Sequence, residues 1–381
     1  MRRSYDVIVV GAGPAGATLA YELARRGIAV LVLEKDKLPR YKPCAGGVTG
    51  KAAKLLDFDI SGVVEDAIQQ VMFTYDLGSP CVRQSSQPLM YTVMRDTFDR
   101  FLADKAQAMG AALKDGEKVT RIRVNGEWLE ISAGQDAFRA RIIAGADGAY
   151  SVVASRLGIE RRIEYVVGIE SEVVVPGEEL GKWESRVQMD LGCIPGGYGW
   201  VFPKRDHLSV GVGCVAAKSE HLKRYHEMFL NSLGVSGYTV VRSSSHLIPT
   251  CVKGRHTWRD KALLLGDAAG FADPLTGEGI YNAILSGKLA APVIVNYLAG
   301  KEGGLQAYEQ AVEEKIMPEL RIARTLARLF VRFPHLAFRM LNQREGVWRA
   351  GCQLMLGETN YAAIKETKGG FKGILSRLVG A

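Results

Sequence analysis

The chain has 381 residues, 47% of them hydrophobic and 24% charged, with a formal net charge of +8. These proportions exclude a disordered or collagen-like chain and favour two or three folded domains. The basic balance suits an anionic ligand or an anionic lipid surface, and nucleic acid ranks last because no nucleic-acid motif is present. Six cysteines are scattered without a CxxC or any metal-ligand spacing, so no metal is expected. No run approaches the ~18 apolar residues of a spanning helix, and the apolar run after "MRRSY" breaks into glycines too soon for a secretory h-region. The expectation is a reduced, cytoplasmic protein.

In chain order, Val7–Val10 is a β-branched run that leads into Gly11-Ala12-Gly13-Pro14-Ala15-Gly16. "ATLAYELARRG" then has helical spacing, and "IAVLVLEKD" reads as a second buried strand ending in Glu34. Gly11 allows the tight turn, Gly13 lets a pyrophosphate approach the backbone, and Gly16 lets the helix pack closely. Glu34 is placed to accept from ribose hydroxyls. Strand, glycine turn, helix, strand and acid together specify a dinucleotide site, where a bare GxGxxG would not.

"YKPCAGGVTG" (41–50) follows, a loop holding Cys44 beside a Gly-Gly pair. Two readings stay open for Cys44: a reactive thiol beside a cofactor, or a small apolar residue in a turn. "MRDTFDRFLADKA" begins a helix at Arg95, which alone is as readily a solvated N-terminal residue as a ligand. In "ARIIAGADGAYSVVASRLGI" (140–159) an apolar strand delivers Asp147-Gly148 to a helix.

"PGGYGWVFPKRDHLSVGVG" (195–213) places Tyr198, Trp200 and Phe202 at alternate positions, hence on one face of a strand. Such a face is either an apolar wall for a long substrate or ordinary sheet core. Gly211–Ala216 matches GxGxxA but reads as a glycine-containing strand, because no helix, second strand and acid follow. In "ALLLGDAAGFADPLTGEGIYNAILSGKLAA" (262–291) a buried strand delivers Gly266-Asp267, and a helix starts near Gly279. Asp267 can accept from a ribityl hydroxyl. The amides of Gly279 and Ile280 can face the pyrimidine end of an isoalloxazine, where negative charge grows on reduction. Two later segments thus favour FAD over NAD.

Residues 305–345 read as helices. Arg321, Arg324, Arg328 and Arg332 share one face, which suits either an ordinary amphipathic helix or contact with anionic lipid or a diphosphate. "GGFKGILSRLVGA" repeats the theme more weakly.

The three motifs together resemble the FAD-dependent, hydroxylase-like flavoprotein superfamily. Within it, Pro195, Tyr198, Trp200, Phe202 and Pro203 in the pattern PxxYxWxFP, with the Cys44 loop, resemble the geranylgeranyl reductase family over residues 4 to 295. The fold this implies is α/β: a Rossmann-like FAD-binding domain (1–68, 92–163 and 252–298), an inserted antiparallel-sheet substrate domain (69–91 and 164–251), and a C-terminal helical region (299–381). The cofactor contacts it implies are Gly11, Gly13, Ala15, Gly16, Glu34, Cys44, Ala45, Gly47, Arg95, Val119 (through its backbone), Asp147, Gly148, Asp267, Gly277, Gly279 and Ile280. The substrate would meet Tyr198, Trp200, Phe202 and Pro203.

The activity implied is saturation of carbon–carbon double bonds in geranylgeranyl chains of a diphosphate, lipid, chlorophyll or quinone precursor, by hydride from reduced flavin. Cys44 is the candidate catalytic proton donor, since a thiol is mostly protonated near neutrality. Tyr198 and an ordered water are the alternatives. The external electron donor is NADPH or a ferredoxin-type protein, and a lipid substrate implies peripheral membrane contact. The competing reading is a monooxygenase, hydroxylase or halogenase on an apolar or aromatic substrate. Hydroxylases of the superfamily tend to carry histidine after GDAA, where this chain has Gly270. His207 and His246 read as structural or solvated.

Overall fold

The computed structural model describes residues 3–78, 80–251 and 256–366. The chain divides into two compact units, each assembled from three separate segments: 1–42, 94–166 and 247–316 in the first, 43–93, 167–246 and 317–381 in the second.

The first unit is built on a sheet in the strand order Trp258–Arg259, Ala262–Leu264, Asp136–Gly145, Arg3–Val10, Val30–Glu34, Ala112–Asp115. From Ala262–Leu264 to Ala112–Asp115 neighbouring strands run parallel, with Val7 beside both Ile142 and Val30. All five residues of Val30–Glu34 are buried. That explains why the strand is a continuous apolar run: a parallel sheet covered on both faces has no polar side to alternate with. Trp128–Ala133 and Val119–Asn125 join antiparallel beside Asp136–Gly145. Helix Pro14–Ala24 packs against helices Arg95–Ala108 and Ile280–Leu298. Contact with the last is close because Gly287 has no side chain: a Cβ there would fall 2.9 Å from the Ala15 carbonyl oxygen.

The second unit carries a sheet in the order Thr239–Cys251, Ile163–Val174, Leu208–Val215, Gly197–Pro203, Arg186–Leu191, Gln70–Tyr75, Cys81–Gln84. Gly197–Pro203 runs antiparallel to both neighbours, whereas Arg186–Leu191 and Gln70–Tyr75 are parallel. The inserted sheet is therefore mixed, because Gln70–Tyr75 arrives from a distant part of the chain and not through a hairpin. A smaller antiparallel sheet joins Gly47–Thr49, Met90–Val93 and Val64–Ile68.

Hydrophobic clusters among the described residues stabilise this unit. One gathers Val201, Val210 and Val212 around Phe229 of helix Leu222–Ser232. Another gathers Phe73, Met90 and Val187 around Trp348 and Leu356 of helix Glu345–Leu356. Each fully buried aromatic or aliphatic side chain contributes about 1.5–3 kcal/mol.

The division differs from the expected boundaries at two places. Residues 43–68, expected with the nucleotide domain, lie in the second unit because Gly47–Thr49 and Val64–Ile68 pair with Met90–Val93. The C-terminal helices do not form a region of their own. Gln306–Lys315 stays in the first unit, where the Tyr308 hydroxyl donates to the Leu264 carbonyl at 3.0 Å. Met317–Arg332 and the helices after it belong to the second. Met317–Arg332 buries Leu320, Ala323 and Leu326 and leaves Arg321, Arg328 and Arg332 exposed, with Arg324 half-buried. The segment "GGFKGILSRLVGA" lies outside the described residues.

Candidate functional site

The first unit holds a nucleotide cradle at the carboxyl ends of its parallel strands, where ligands of such sheets bind. After Val10 the chain turns at Gly11, whose φ of +101° and a would-be Cβ 2.3 Å from the Ala146 carbonyl oxygen admit only glycine. A Cβ at Gly16 would fall 2.0 Å from the Gly11 carbonyl oxygen. Gly13 is different: the nearest atoms to its would-be Cβ, Arg40 Nη2 and Asp99 Oδ2, are 3.9 Å away. Its glycine leaves space that the fold does not itself use. Helix Pro14–Ala24 begins at that space with no side chain capping it and no acid in its first turn. Open amides at a positive helix end form a ready anion site.

Glu34 ends the neighbouring strand, 4% exposed. Its Oε2 accepts from the Ala12 amide at 2.9 Å and its Oε1 from Asp36 at 3.2 Å. Arg95 opens its helix and forms a two-pronged pair with Asp99 at 2.9 and 3.0 Å. Arg40 donates to the same Asp99 at 2.9 Å and to Glu34 at 3.4 Å. Two guanidinium groups and two carboxylates thus form one buried network beside Gly13. Arg40 and Asp99 were missed by the sequence reading. Asp99 carried a signal, since it stands four residues after Arg95 on one helix face. Val119, 3% exposed, begins its strand just after Glu117, whose amide donates to the Glu34 carbonyl at 2.8 Å.

Asp147 follows strand Asp136–Gly145. Its Oδ2 accepts from the Val153 amide at 3.1 Å, while its buried Oδ1 has no hydrogen-bond partner among the described residues. Burial pushes its carboxyl above the usual carboxylate range. Gly148 has a φ of +77° and nothing within 4 Å of its would-be Cβ. Asp267 is half-buried, and its Oδ1 stands 3.3 Å from where Gly279 would carry a Cβ. The intervening turn is tied by buried Asp273, which accepts from Leu275 at 2.7 Å and Thr276 at 3.1 Å, while Gly277 donates to its carbonyl at 2.8 Å. Ile280 then starts helix Ile280–Leu298, also without a side-chain cap. Ala15 lies at this end too, its methyl 3.1 Å from the would-be Cβ of Gly266. Two uncapped helix starts, the clearance at Gly13 and the orphaned Asp147 oxygen all fit a large, phosphate-bearing dinucleotide such as FAD.

The second unit holds the Cys44 loop. The Cys44 amide donates to Glu170 Oε1 at 2.9 Å, and the Gly46 amide to Cys44 Sγ at 3.4 Å. Lys204 Nζ donates to the carbonyls of Ala45 at 2.7 Å and Val93 at 2.8 Å. Gly46, with a φ of +70°, is bound to its place: a Cβ would fall 2.0 Å from the Val93 carbonyl oxygen and 2.9 Å from Lys204 Nζ. Gly47 sits against Phe202, its would-be Cβ 3.0 Å from the ring edge.

The two charges holding the loop are deeply buried, Glu170 at 0% and Lys204 at 3% exposure. Burial, with Glu172 nearby, pushes Glu170 up to about 7. Burial lowers the Lys204 ammonium against the pull of Glu170 and Glu172. His207 Nε2 meets Glu172 Oε2 at 3.0 Å and its Nδ1 meets Asp206 Oδ1 at 2.6 Å. Burial works to lower the imidazole, but these two carboxylates outweigh it and hold it above its usual range.

Glu170, Glu172 and Lys204 were not read as functional from the sequence, and His207 was read as structural or solvated. The available signal was in "GIESEVVV", where two acids alternate on an otherwise apolar strand.

Tyr198, Trp200 and Phe202 do share a face. The Tyr198 and Trp200 rings lie 5.9 Å apart, and Phe202 packs on the Trp348 core. The other face sends Val201 to the Phe229 core. Pro203 ends the strand, buried, and directs the chain into Lys204. Gly211 and Gly213 lie on strand Leu208–Val215 beneath the indole, so the GxGxxA match is strand, as read. Among the described residues there is no group of three or more potential metal ligands, and no helix is long and apolar enough to cross a membrane.

Comparison with known proteins bears on this arrangement. Residues 4–188 match the FAD binding domain family. An uncharacterised protein of Methanosarcina barkeri is 34% identical over 86% of this chain and 84% of its own. A digeranylgeranylglycerophospholipid reductase of Methanopyrus kandleri is 31% identical over 85% of this chain and 90% of its own. Among solved structures, a geranylgeranyl bacteriochlorophyll reductase-like protein of Thermoplasma acidophilum superposes with a TM-score of 0.79 at 24% identity, covering 87% of this chain and 88% of that one.

Proposed function

Because this chain belongs to the geranylgeranyl reductase family of FAD-dependent flavoproteins, we propose that it saturates carbon–carbon double bonds of geranylgeranyl chains. A glycerolipid is the first substrate to test, followed by the free diphosphate and by chlorophyll or quinone precursors. The observation that carries the reading is the match to the Methanopyrus kandleri lipid reductase along 90% of that enzyme's length.

FAD, when bound and reduced, supplies a hydride from N5. The open amides after Gly13 would receive the pyrophosphate, and Glu34 would accept from the ribose hydroxyls. Arg95, held by Asp99, would contact the nucleotide, and the backbone of Val119 would meet the adenine. Asp147 and Gly148, and the segment from Asp267 through Gly277 to Gly279 and Ile280, hold the rest of the cofactor.

An isolated alkene has no carbonyl to polarise, so the chain must contribute position, dryness and one proton. The aromatic face of Tyr198, Trp200 and Phe202, closed by Pro203, supplies an apolar surface for the chain. Cys44 supplies the proton to the second alkene carbon. Its loop is suited to that task because Glu170 and Lys204 fix the backbone on both sides of it, and Ala45 and Gly47 add no bulk. NADPH or a ferredoxin-type protein re-reduces the flavin. The exposed arginines of helix Met317–Arg332 meet the anionic membrane surface from which a lipid substrate comes.

The test is a single turnover without oxygen. The flavoprotein is reduced, mixed with a geranylgeranylated glycerophospholipid or geranylgeranyl diphosphate, and followed by flavin absorbance and substrate mass. Reoxidation with a gain of two hydrogens per bond supports the proposal. A flavin that stays reduced with every prenyl substrate, yet incorporates oxygen into another substrate when air is admitted, overturns it in favour of a monooxygenase.

A further inference from the structure

Two strands of the first unit that lead into the cradle lie side by side. Asp136–Gly145 and Ala262–Leu264 run parallel, with Gly145 beside Leu264. One more bond joins them, from the Leu265 amide to the Gly145 carbonyl at 2.9 Å. Past that point the backbones part. One continues as Asp147-Gly148-Ala149 and the other as Gly266-Asp267-Ala268.

Each segment is anchored on its own side. Asp147 Oδ2 accepts from the Val153 amide of the helix that follows it at 3.1 Å. The Gly266 amide donates to Ser286 Oγ of helix Ile280–Leu298 at 3.1 Å. Arg161 joins the two segments. Its Nη1 donates to the Ala149 carbonyl at 3.2 Å and to the Ala268 carbonyl at 3.3 Å. All of these residues belong to the first unit.

The chain is shaped to bring Arg161 there. Helix Val152–Leu157 stops at Gly158, whose φ of +62° is left-handed, and the Ile159 amide turns back to the Ala154 carbonyl at 2.9 Å. Ile159 is buried, and Arg161 follows it half-buried. The neighbouring Arg162 is 63% exposed and pairs with Glu160 at 3.5 Å. Of two adjacent arginines, one faces solvent and the other holds backbone of the cradle.

Both carbonyls suit an outside donor. In the turn Gly266–Ala269 the carbonyls of Gly266 and Asp267 accept from the amides of Phe271 at 3.2 Å and Gly270 at 3.1 Å. The carbonyl of fully buried Ala268 is left to Arg161, and a buried carbonyl without a donor is costly. Ala149 follows Gly148, whose φ of +77° and open surroundings mean that packing does not fix it. A cation shared by these two carbonyls sets the spacing of the two segments.

We propose that Arg161 is a positioning residue, which holds Asp147-Gly148 at a set separation from Asp267 and so prepares the flavin half of the FAD site. The proposal rests on the reading of those residues as cofactor contacts. The adenylate half, at Gly11–Gly16, Glu34 and Arg95, does not depend on Arg161. A site held ready in this way binds more tightly because less ordering is left to the ligand.

The test uses two ligands that differ by the flavin half. FAD binding to the apoprotein is followed by flavin fluorescence, and ADP binding by calorimetry. Arg161→Met is expected to weaken FAD by about tenfold or more and to leave ADP within about twofold of wild type. Arg259→Met is the control. It removes a donor of the same kind, 2.8 Å from the Gly158 carbonyl at the far end of the same helix, and is expected to leave both ligands within about twofold.

Wild-type FAD affinity in Arg161→Met overturns the proposal. So does an equal loss of FAD and ADP, which is the result of a general loosening of the unit. Should Arg161→Met not fold, Arg161→Lys decides. Its ammonium stands on a shorter stem without the planar fork, so FAD is expected to weaken about threefold with ADP unchanged, and wild-type affinity for both overturns the proposal. A split between FAD and ADP in an enzyme that saturates no prenyl substrate upholds the positioning role and removes the proposed function. A wild-type chain that binds ADP and no FAD overturns both.

Discussion

Gly211 lies directly under Trp200: a Cβ on Gly211 would fall 2.2 Å from the indole ring. The pair fixes where the aromatic face sits. Gly211→Ala is expected to destabilise the chain by about 1–3 kcal/mol through overpacking. Trp200→Phe makes room for the methyl, so the double variant is expected to be more stable than the sum of the single effects implies. Chemical denaturation of the four proteins checks the coupling, and strict additivity would count against the contact.

The glycines of the first turn divide by role. Gly13→Ala keeps an ordinary φ of −76° and meets nothing nearer than 3.9 Å. Its stability without cofactor is expected to stay within about 0.5 kcal/mol of wild type. FAD affinity is expected to fall by about tenfold or more, because the methyl occupies the phosphate approach. Gly16→Ala collides with the Gly11 carbonyl and is expected to lose the fold as well. Titration with FAD, alongside thermal unfolding of the apoprotein, separates the two effects.

Asp99 is fully buried between Arg95 and Arg40. Asp99→Asn leaves two guanidinium groups with one fewer charge between them and is expected to cost about 3–5 kcal/mol. Asp104→Asn, one turn along at the exposed Arg100 pair, is expected to cost under about 1 kcal/mol. Similar losses from both would show that Asp99 holds no network.

Glu170 sets a pH dependence of stability. Its carboxyl is raised from 4.5 to about 7 by burial and by Glu172. Between those values the native chain keeps a proton that the unfolded chain has released, so stability falls as pH rises through the window. Glu170→Gln removes the titration and retains an acceptor for the Cys44 amide. Its unfolding free energy is expected to vary less than that of wild type from about pH 4.5 to about pH 7, and an unchanged slope would place the titrating group elsewhere.

Cys44→Ser keeps the backbone bonds to Glu170 and replaces the thiol by a poorer acid. FAD content is expected to match wild type while kcat for prenyl saturation falls about 100-fold. Unchanged turnover at full flavin occupancy returns Cys44 to a packing role.

The nucleotide cradle was legible in the sequence because its constraints are local. Gly11, Gly16 and Glu34 lie within one strand–helix–strand stretch, and the backbone itself dictates each residue. The buried charges that hold the Cys44 loop were not legible for the opposite reason. Glu170 reaches Cys44 across 126 positions, and Lys204 reaches Ala45 across 159, through the registration of separate strands. Nothing near Lys204 in the chain distinguishes it from a surface lysine of a turn. His207 read as structural or solvated, because Glu172 is brought to it only by the sheet. The placement of 43–68 differed likewise, since the Gly46 carbonyl accepts from the distant Val93 amide at 2.9 Å.

The interleaving of the two units has a consequence for how the protein is made. The turn from Gly11 to Gly16 leaves the ribosome first, but the backbone it packs against at Gly287 belongs to a helix that ends at Leu298. At roughly 5–20 residues per second, the N-terminal strand and helix stay exposed for about ten seconds to a minute before their partner emerges. A message truncated before Ala262 yields a sheet lacking its Ala262–Leu264 strand and a cradle lacking Asp267. The first unit therefore closes only late in synthesis, once its third segment has emerged.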